Sequence, residues 1–281
     1  MAAGHPLTLK QLHYRMVSLG LAHNSQHNYD RLVTVMTNAR LRGLTDWDAI
    51  QDHTAVADAL QQWSTPAEML AHAARTFAVP KWAAQSLHVE CWLSKPSVAC
   101  TVAPICRAWG VPLTASRGYP SLSYSFRASQ RFQTAMEAGY SVKVLHLADH
   151  SPTGLDETRG IRERLEQLTG EPVTVLRVGL NKSQIEQFEL PPNPAKLSDS
   201  RAGRYAADHG SKTWELEALS PDALAGILAS QIQALIDPTL WQATLSNENH
   251  ARRLPSEVAE ALKSNSGLNV PRACGAGGNN P

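Results

Sequence analysis

At 281 residues and 43% hydrophobic content, the chain has enough apolar material for one large domain or two modest ones. Its 26 Lys and Arg against 25 Asp and Glu leave a formal charge of +1, so a nucleic-acid partner must be met by a local basic face and not by global attraction. No apolar run reaches membrane-spanning length, and Met1-Ala2-Ala3-Gly4-His5-Pro6 lacks the features of a signal peptide, which predicts a cytoplasmic protein. The four cysteines, at 91, 100, 106 and 274, show no metal-ligand spacing and read as reduced thiols; the 11 histidines are scattered, against a structural zinc site.

Residues 1–60 predict a small helical, winged-helix-like domain. Thr8 can cap a helix that runs to about Leu19 and stops at Gly20. Leu9, Leu12, Met16 and Leu19 fall on one face of it. Tyr14 lies nearly opposite that stripe and is expected to face away from the local core, as an ordinary surface tyrosine also would. A second helix is expected from about Asn28 to Arg42, with Leu32, Val35, Met36 and Ala39 as its apolar line. Helix, short turn, helix is the skeleton of a helix-turn-helix unit. Arg40 and Arg42 at its end can reach phosphates, but cations are also favoured at any helix C-terminus.

Residues 61–86 read as a connector holding a helix over Pro66–Phe77. Residues 87–245 then alternate strand and helix. Strands are expected at Leu87–Leu93, Val111–Ala115, Val142–Asp149 and Pro172–Val178. Helices are expected at Pro96–Trp109, Leu122–Ala138 and Leu155–Leu168. This predicts an α/β domain with a mainly parallel sheet and helices on both faces. Residues 191–215 look irregular. Helices follow at Pro221–Ile236 and Thr239–Leu245. Residues 246–281 supply one more helix, Ser256–Ser264, and a Gly/Asn/Pro-rich tail expected to be disordered.

In parallel α/β sheets, ligands sit beyond the carboxyl ends of the strands. Ser94, Arg117 and Asp149 all fall there. There is no P-loop, GxGxxG or nucleophile elbow, which disfavours a nucleotide-binding protein or phosphohydrolase of the usual kinds. Glu90 stands four residues before Ser94, about 13 Å away along a strand, too far to share an ion with the strand's end. His150 with Asp149 is too small a set to predict a soft-metal site.

Several stretches in order resemble one family. They are Leu7–Gly20 (LTLKQLHYRMVSLG), Val89–Lys95 (VECWLSK), Thr114–Tyr119 (TASRGY), Asp149–Asp156 (DHSPTGLD), Pro192–Arg201 (PNPAKLSDSR) and Trp214–Leu219 (WELEAL). Together they are similar to bacterial and phage proteins related to the A subunit of topoisomerase VI and the meiotic double-strand-break transesterase. The resemblance covers most of residues 7–220.

It implies a Toprim (Rossmann-like) domain behind a winged-helix unit, with a tyrosine nucleophile at Tyr14 that attacks a DNA phosphodiester. It also implies a homodimer, in which the tyrosine and the Toprim cleft of different subunits make one site on duplex DNA. The sequence does not identify a partner ATPase. A Toprim cleft normally holds Mg²⁺ with three acids, a Glu before the Lys of the first strand end and Asp-x-Asp at the second. Here those positions are Ser94, Asp149 and Ser151. Only Asp149 is an acid, and Mg²⁺ wants hard carboxylate oxygens. Asp156, with Glu157 beside it in the next helix, is the closest further candidate, although acids at a helix start need no metal to explain them. Arg15, Arg40, Arg42, Lys95, Arg117, Lys196 and Arg201 are the candidate DNA-phosphate contacts. The basic residues of the cleft can instead pair with a carboxylate such as Asp199 or Glu217. The expectation is a DNA-binding protein with weakened or lost metal-dependent cleavage; the alternative is an active transesterase that breaks DNA through Tyr14.

Overall fold

Thr8 lies in extended backbone, and its hydroxyl accepts from Gln11 N–H while the Gln11 side chain accepts from Thr8 N–H. That reciprocal cap starts α1 (Leu9–Ser18) where the sequence placed it. The computed structural model describes residues 7–46, 49–50, 62–194 and 202–264. After α1 comes α2 (Gln26–Leu41), capped by Ser25, and then α3 (Pro66–Thr76). The described residues fall into two compact units. One is drawn from Met1–Ala55 and Ser86–Ile236, the other from Val56–Gln85 and Asp237–Pro281. These bounds differ from divisions at 60, 86 and 245, because the N-terminal helices pack into the α/β unit.

The α/β unit contains a four-stranded sheet. Its elements are β1 (Leu87–Leu93), a 3-10 turn at Pro96–Val98, α4 (Ala99–Ala108), β2 (Leu113–Ala115), α5 (Leu122–Glu137), β3 (Ser141–Leu147), α6 (Pro152–Thr169) and β4 (Thr174–Gly179). The strand order is β2-β1-β3-β4, and every pairing is parallel. Successive side chains of a strand point to opposite faces, so each face of β1 meets a different layer. Trp92 packs with Phe132 of α5 and Ile161 and Leu165 of α6. Cys91 meets Cys106 of α4 on the other face. Consecutive residues at the carboxyl ends of β1 and β3 are buried, as cover on both faces of the sheet requires. At the end of α6, Gly170 takes φ 76°, a left-handed cap that suits glycine.

The described residues of the stretch 191–215 are more ordered than its composition suggests. After α7 (Lys182–Gln187), β5 (Asn193–Pro194) pairs antiparallel with β6 (Lys212–Thr213), and α8 (Ala202–His209) lies between them in sequence. A 3-10 turn at Leu216–Ala218 and α9 (Pro221–Gln233) complete the unit.

In the second unit, α3 packs along α10 (Pro238–Ser264). Trp82 and Trp241 meet edge to face at 5.8 Å, and Glu248 accepts from Val79 N–H at 3.0 Å. The sequence suggested two helices here; one continuous helix of 27 residues forms, with Pro255 inside it. Packing against α3 outweighs the local cost of the proline. No single described helix is long and apolar enough to cross a membrane.

Candidate functional site

The turn from β3 into α6 is built by three residues. Ser151, extended at φ −147°, caps α6 by accepting from Gly154 N–H at 3.1 Å. Gly154 is required by the close approach of the turn: a Cβ there would stand 2.1 Å from Asp149 O. Arg177 of β4 donates to Ala148 O at 3.1 Å, Asp149 O at 2.6 Å, Gly154 O at 2.8 Å and Leu180 O at 3.2 Å. Burial lowers its pKa to about 10, opposed by Asp149 and Glu157, so the guanidinium stays charged at neutral pH. The result holds Asp149 at the mouth of a cleft of about 440 Å³, lined also by Ser94, Lys95, Arg117, Ser151 and Glu157.

Lys95 lies inside a cluster of carboxylates. Its Nζ is 3.0 Å from Asp149, 3.2 Å from Glu217 and 3.4 Å from Glu215. Burial works against the ammonium, but Asp149, Glu217 and Glu215 outweigh it and hold Lys95 protonated above its ordinary range. Asp149 also accepts from Leu216 N–H at 2.8 Å. Burial pushes the Glu217 carboxyl up, while Lys95 and Lys10 draw Glu215 down against its own burial, so Glu217 takes a proton first on acidification. Lys95 is a candidate phosphate contact by sequence; in the structure its charge is held by the carboxylates of this cluster. Pairing with Glu217, one option the sequence offered, is what occurs.

Ser94 turns toward the sheet. Its hydroxyl is 2.9 Å from His146 Nε2, and His146 Nδ1 is 2.9 Å from the Thr158 hydroxyl. His146 is fully buried. Burial, then the nearby Arg177 charge, lower its pKa to about 3, so the ring is neutral. A neutral imidazole so disfavoured as a cation is a hydrogen-bond partner for Ser94 and not an effective base. His150 lies in a separate nest beyond the turn. Its Nδ1 is 2.9 Å from the Tyr205 hydroxyl, and its pKa falls to about 4 through burial, then Arg177 and His209.

Each position of the expected three-acid set is therefore occupied by another task. Ser94 serves His146, Asp149 serves Lys95 and Leu216 N–H, and Ser151 caps α6. Asp156 accepts from the Tyr119 hydroxyl and from Arg159 Nε, the latter at 3.0 Å. These residues do not fit Mg²⁺, which needs several oxygens turned toward one point. Among the described residues, no three Asp, Glu, His or Cys side chains are placed to hold a metal together. Glu90 is structural: it accepts from Arg131 at 3.0 and 3.1 Å and from Trp92 Nε1 at 2.9 Å.

Tyr14 corrects an expectation. It is opposite the Leu9/Leu12/Met16/Leu19 stripe, but its own face is the covered one. Tyr14 is 2% exposed, whereas Leu19 is 64% exposed. The reason is the partner: α1 packs on the Leu216–Ala218 turn of its own chain. Tyr14 Oη accepts from Asn193 Nδ2 at 2.7 Å. Burial, followed by Glu215, pushes the phenol well above its ordinary range. Lys10 of α1 pairs with Glu215 at 3.7 Å, which ties α1 to the carboxylate cluster.

The remaining basic candidates separate. Arg15, Arg42 and Arg117 are exposed, and Arg117 lines the cleft. Arg40 turns inward and donates to Ile50 O, which corrects its expected place on an outer phosphate-contacting surface. Lys196 and Arg201 lie outside the described residues. The apolar line expected along α2 also fails in part: Leu32 is buried, but Val35 is 54% exposed. Sequence reasoning missed Arg177 and His146, whose roles depend on strand register. His146 is paired with Trp92 on one side and Arg177 on the other.

Comparisons with protein-family models, curated proteins and solved structures gave no match for this chain.

Proposed function

We propose that this chain is a DNA-binding Toprim-like protein, related to the A subunit of topoisomerase VI, in which metal-dependent cleavage is weakened or lost. One observation carries the reading: Ser94, Asp149 and Ser151 are each committed to an internal hydrogen bond or ion pair, so the cleft offers no open carboxylate set. The burial of Tyr14 supports the same conclusion from the nucleophile's side. In this reading the two N-terminal helices act as a helix-turn-helix-like reader. Arg15, Arg42 and Arg117 then meet the phosphate backbone, with Lys196 and Arg201 as further contacts. The protein acts in the cytoplasm as a homodimer on duplex DNA.

The test is duplex-DNA binding across a salt series, followed by cleavage with Mg²⁺ or Mn²⁺. Lys/Arg–phosphate contacts should give an affinity that falls steeply with salt. The unmodified chain should form no Tyr14-dependent covalent adduct. Ser94→Glu with Ser151→Asp should bind Mn²⁺ more tightly by calorimetry. Asp keeps the cap of α6, and the new Glu sits beside His146. Absent or salt-insensitive DNA binding would remove the proposal. Robust Mg²⁺-dependent cleavage by the unmodified chain would restore the active-transesterase alternative.

A further inference from the structure

We infer that Asn193 and Asn24 form an intrachain latch over Tyr14, and that the phenol becomes reactive only when this latch opens. The contacts form one chain. Asn24 Nδ2, in the turn between α1 and α2, donates to Pro192 O at 2.9 Å and to Asn193 Oδ1 at 2.7 Å. The other end of the Asn193 amide donates to Tyr14 Oη at 2.7 Å. One amide thus reads the turn with its oxygen and the phenol with its nitrogen. Asn193 cannot serve both if its amide is reversed, because the nitrogen would then face the Asn24 donor.

The latch is mounted on slight structure. β5 is two residues long and, among the described residues, pairs with the two residues of β6, with Asn193 opposite Thr213. Both asparagines are partly exposed, whereas Tyr14 beneath them is 2% exposed. Neutral amide hydrogen bonds at such a position exchange for water at little net cost. Opening is therefore a local event that leaves the parallel sheet in place. Closed, the latch engages the phenol oxygen and completes the cover that the Leu216–Ala218 turn gives the Tyr14 face of α1. Burial and Glu215 also keep it protonated.

The meaning of the latch for DNA rests on the proposed function. In the active-transesterase alternative to that reading, Tyr14 Oη would bond to phosphorus, the phosphorus–O3′ bond would break, and the released 3′ oxygen would take up a proton while the phenol gives one to solvent. A closed latch blocks the first of these steps.

The test is nitration of the full chain with tetranitromethane, mapped by peptide mass spectrometry. In the unmodified protein Tyr14 should react far more slowly than a half-exposed tyrosine such as Tyr140. Asn193→Ala and Asn24→Ala should each raise Tyr14 nitration about tenfold, the scale of one lost hydrogen bond, with Tyr140 unchanged. Asn24→Ala leaves the donor to Tyr14 in place and lies in an exposed turn, so it decides the question if Asn193→Ala melts early. Fast Tyr14 nitration in the unmodified chain overturns the latch. Unchanged nitration in both variants also overturns it.

A second arm uses Ser94→Glu with Ser151→Asp as background. There, Asn193→Ala should increase a covalent adduct with duplex DNA that Tyr14→Phe abolishes. Raised nitration with no adduct would keep the latch and refute Tyr14 as a DNA nucleophile.

Discussion

Mild acid should destabilise the α/β unit, and His146 should account for a large part of the loss. In the unfolded chain this imidazole titrates near its ordinary value of 6.5, but in the fold it resists protonation down to about 3. Between those values the unfolded state holds a proton that the folded state refuses. Stability is therefore full above 6.5 and drains away as the pH falls toward 3. Each pH unit is worth about 1.4 kcal/mol per proton, so lowering the pH from about 6.5 to 5 removes roughly 2 kcal/mol through His146 alone. That corresponds to a fall in melting temperature of about 4–8 °C for a unit of this size. His150, with a folded pKa of about 4, adds a second proton over most of the same range. The perturbation is His146→Gln, which removes the titrating ring. The groups around that ring, Ser94, Thr158 and Arg177, do not themselves change charge in this window. Urea unfolding at several pH values should show the variant less stable at neutral pH but with a shallower slope than wild type below 6.5. An unchanged slope would refute the assignment of His146 as a neutral, acid-resistant partner of Ser94.

Two other substitutions test the frame of the site. Gly154→Ala should cost about 3 kcal/mol, because the new methyl meets Asp149 O, a backbone atom that can move only by deforming the turn. Gly226→Ala, where nothing lies within 4 Å, is the matched control and should be neutral or slightly stabilising in the same melt. Arg131→Met should cost about 2–3 kcal/mol, since Glu90 is 2% exposed and would lose its charge partner. Adding Glu90→Gln to Arg131→Met should recover part of that loss, and a fully additive double-mutant cycle would argue against the pair.

The fold was legible wherever local patterns report directly on structure. β1 has the bounds read from the sequence, whereas α6 starts at Pro152, three residues before the expected Leu155, because Ser151 caps the helix. The two-residue strands β5 and β6 carry too few positions for any period to register, so the segment that places Asn193 read as irregular. The face of α1 shows a different failure. The angle between Tyr14 and the leucine stripe follows from helical geometry, but the identity of the buried face depends on which partner covers it. The Leu216–Ala218 turn is more than 200 residues away. Ser94 and His146 are 52 residues apart, and they meet because parallel pairing sets Trp92 opposite His146, so their contact needs the sheet order as well as the strands.

The charge pattern of the cleft gives a physical reason for expecting poor cation binding together with phosphate binding. A divalent cation at Asp149 must compete with an ammonium already 3.0 Å away and surrounded by Glu215 and Glu217. Displacing Lys95 would leave a buried charge to be rehydrated or paired elsewhere, a cost that an open triad of carboxylates does not impose. At Ser94 and Ser151 the same cleft presents neutral hydroxyls, where the acids implied by the proposed Toprim kinship would repel a phosphate lacking its metal. Arg117 remains exposed on the cleft lining. Under the proposed function, the two serines move both affinities at once: a cation finds fewer ligands and a resident ammonium, while a phosphate meets less repulsion and an exposed guanidinium.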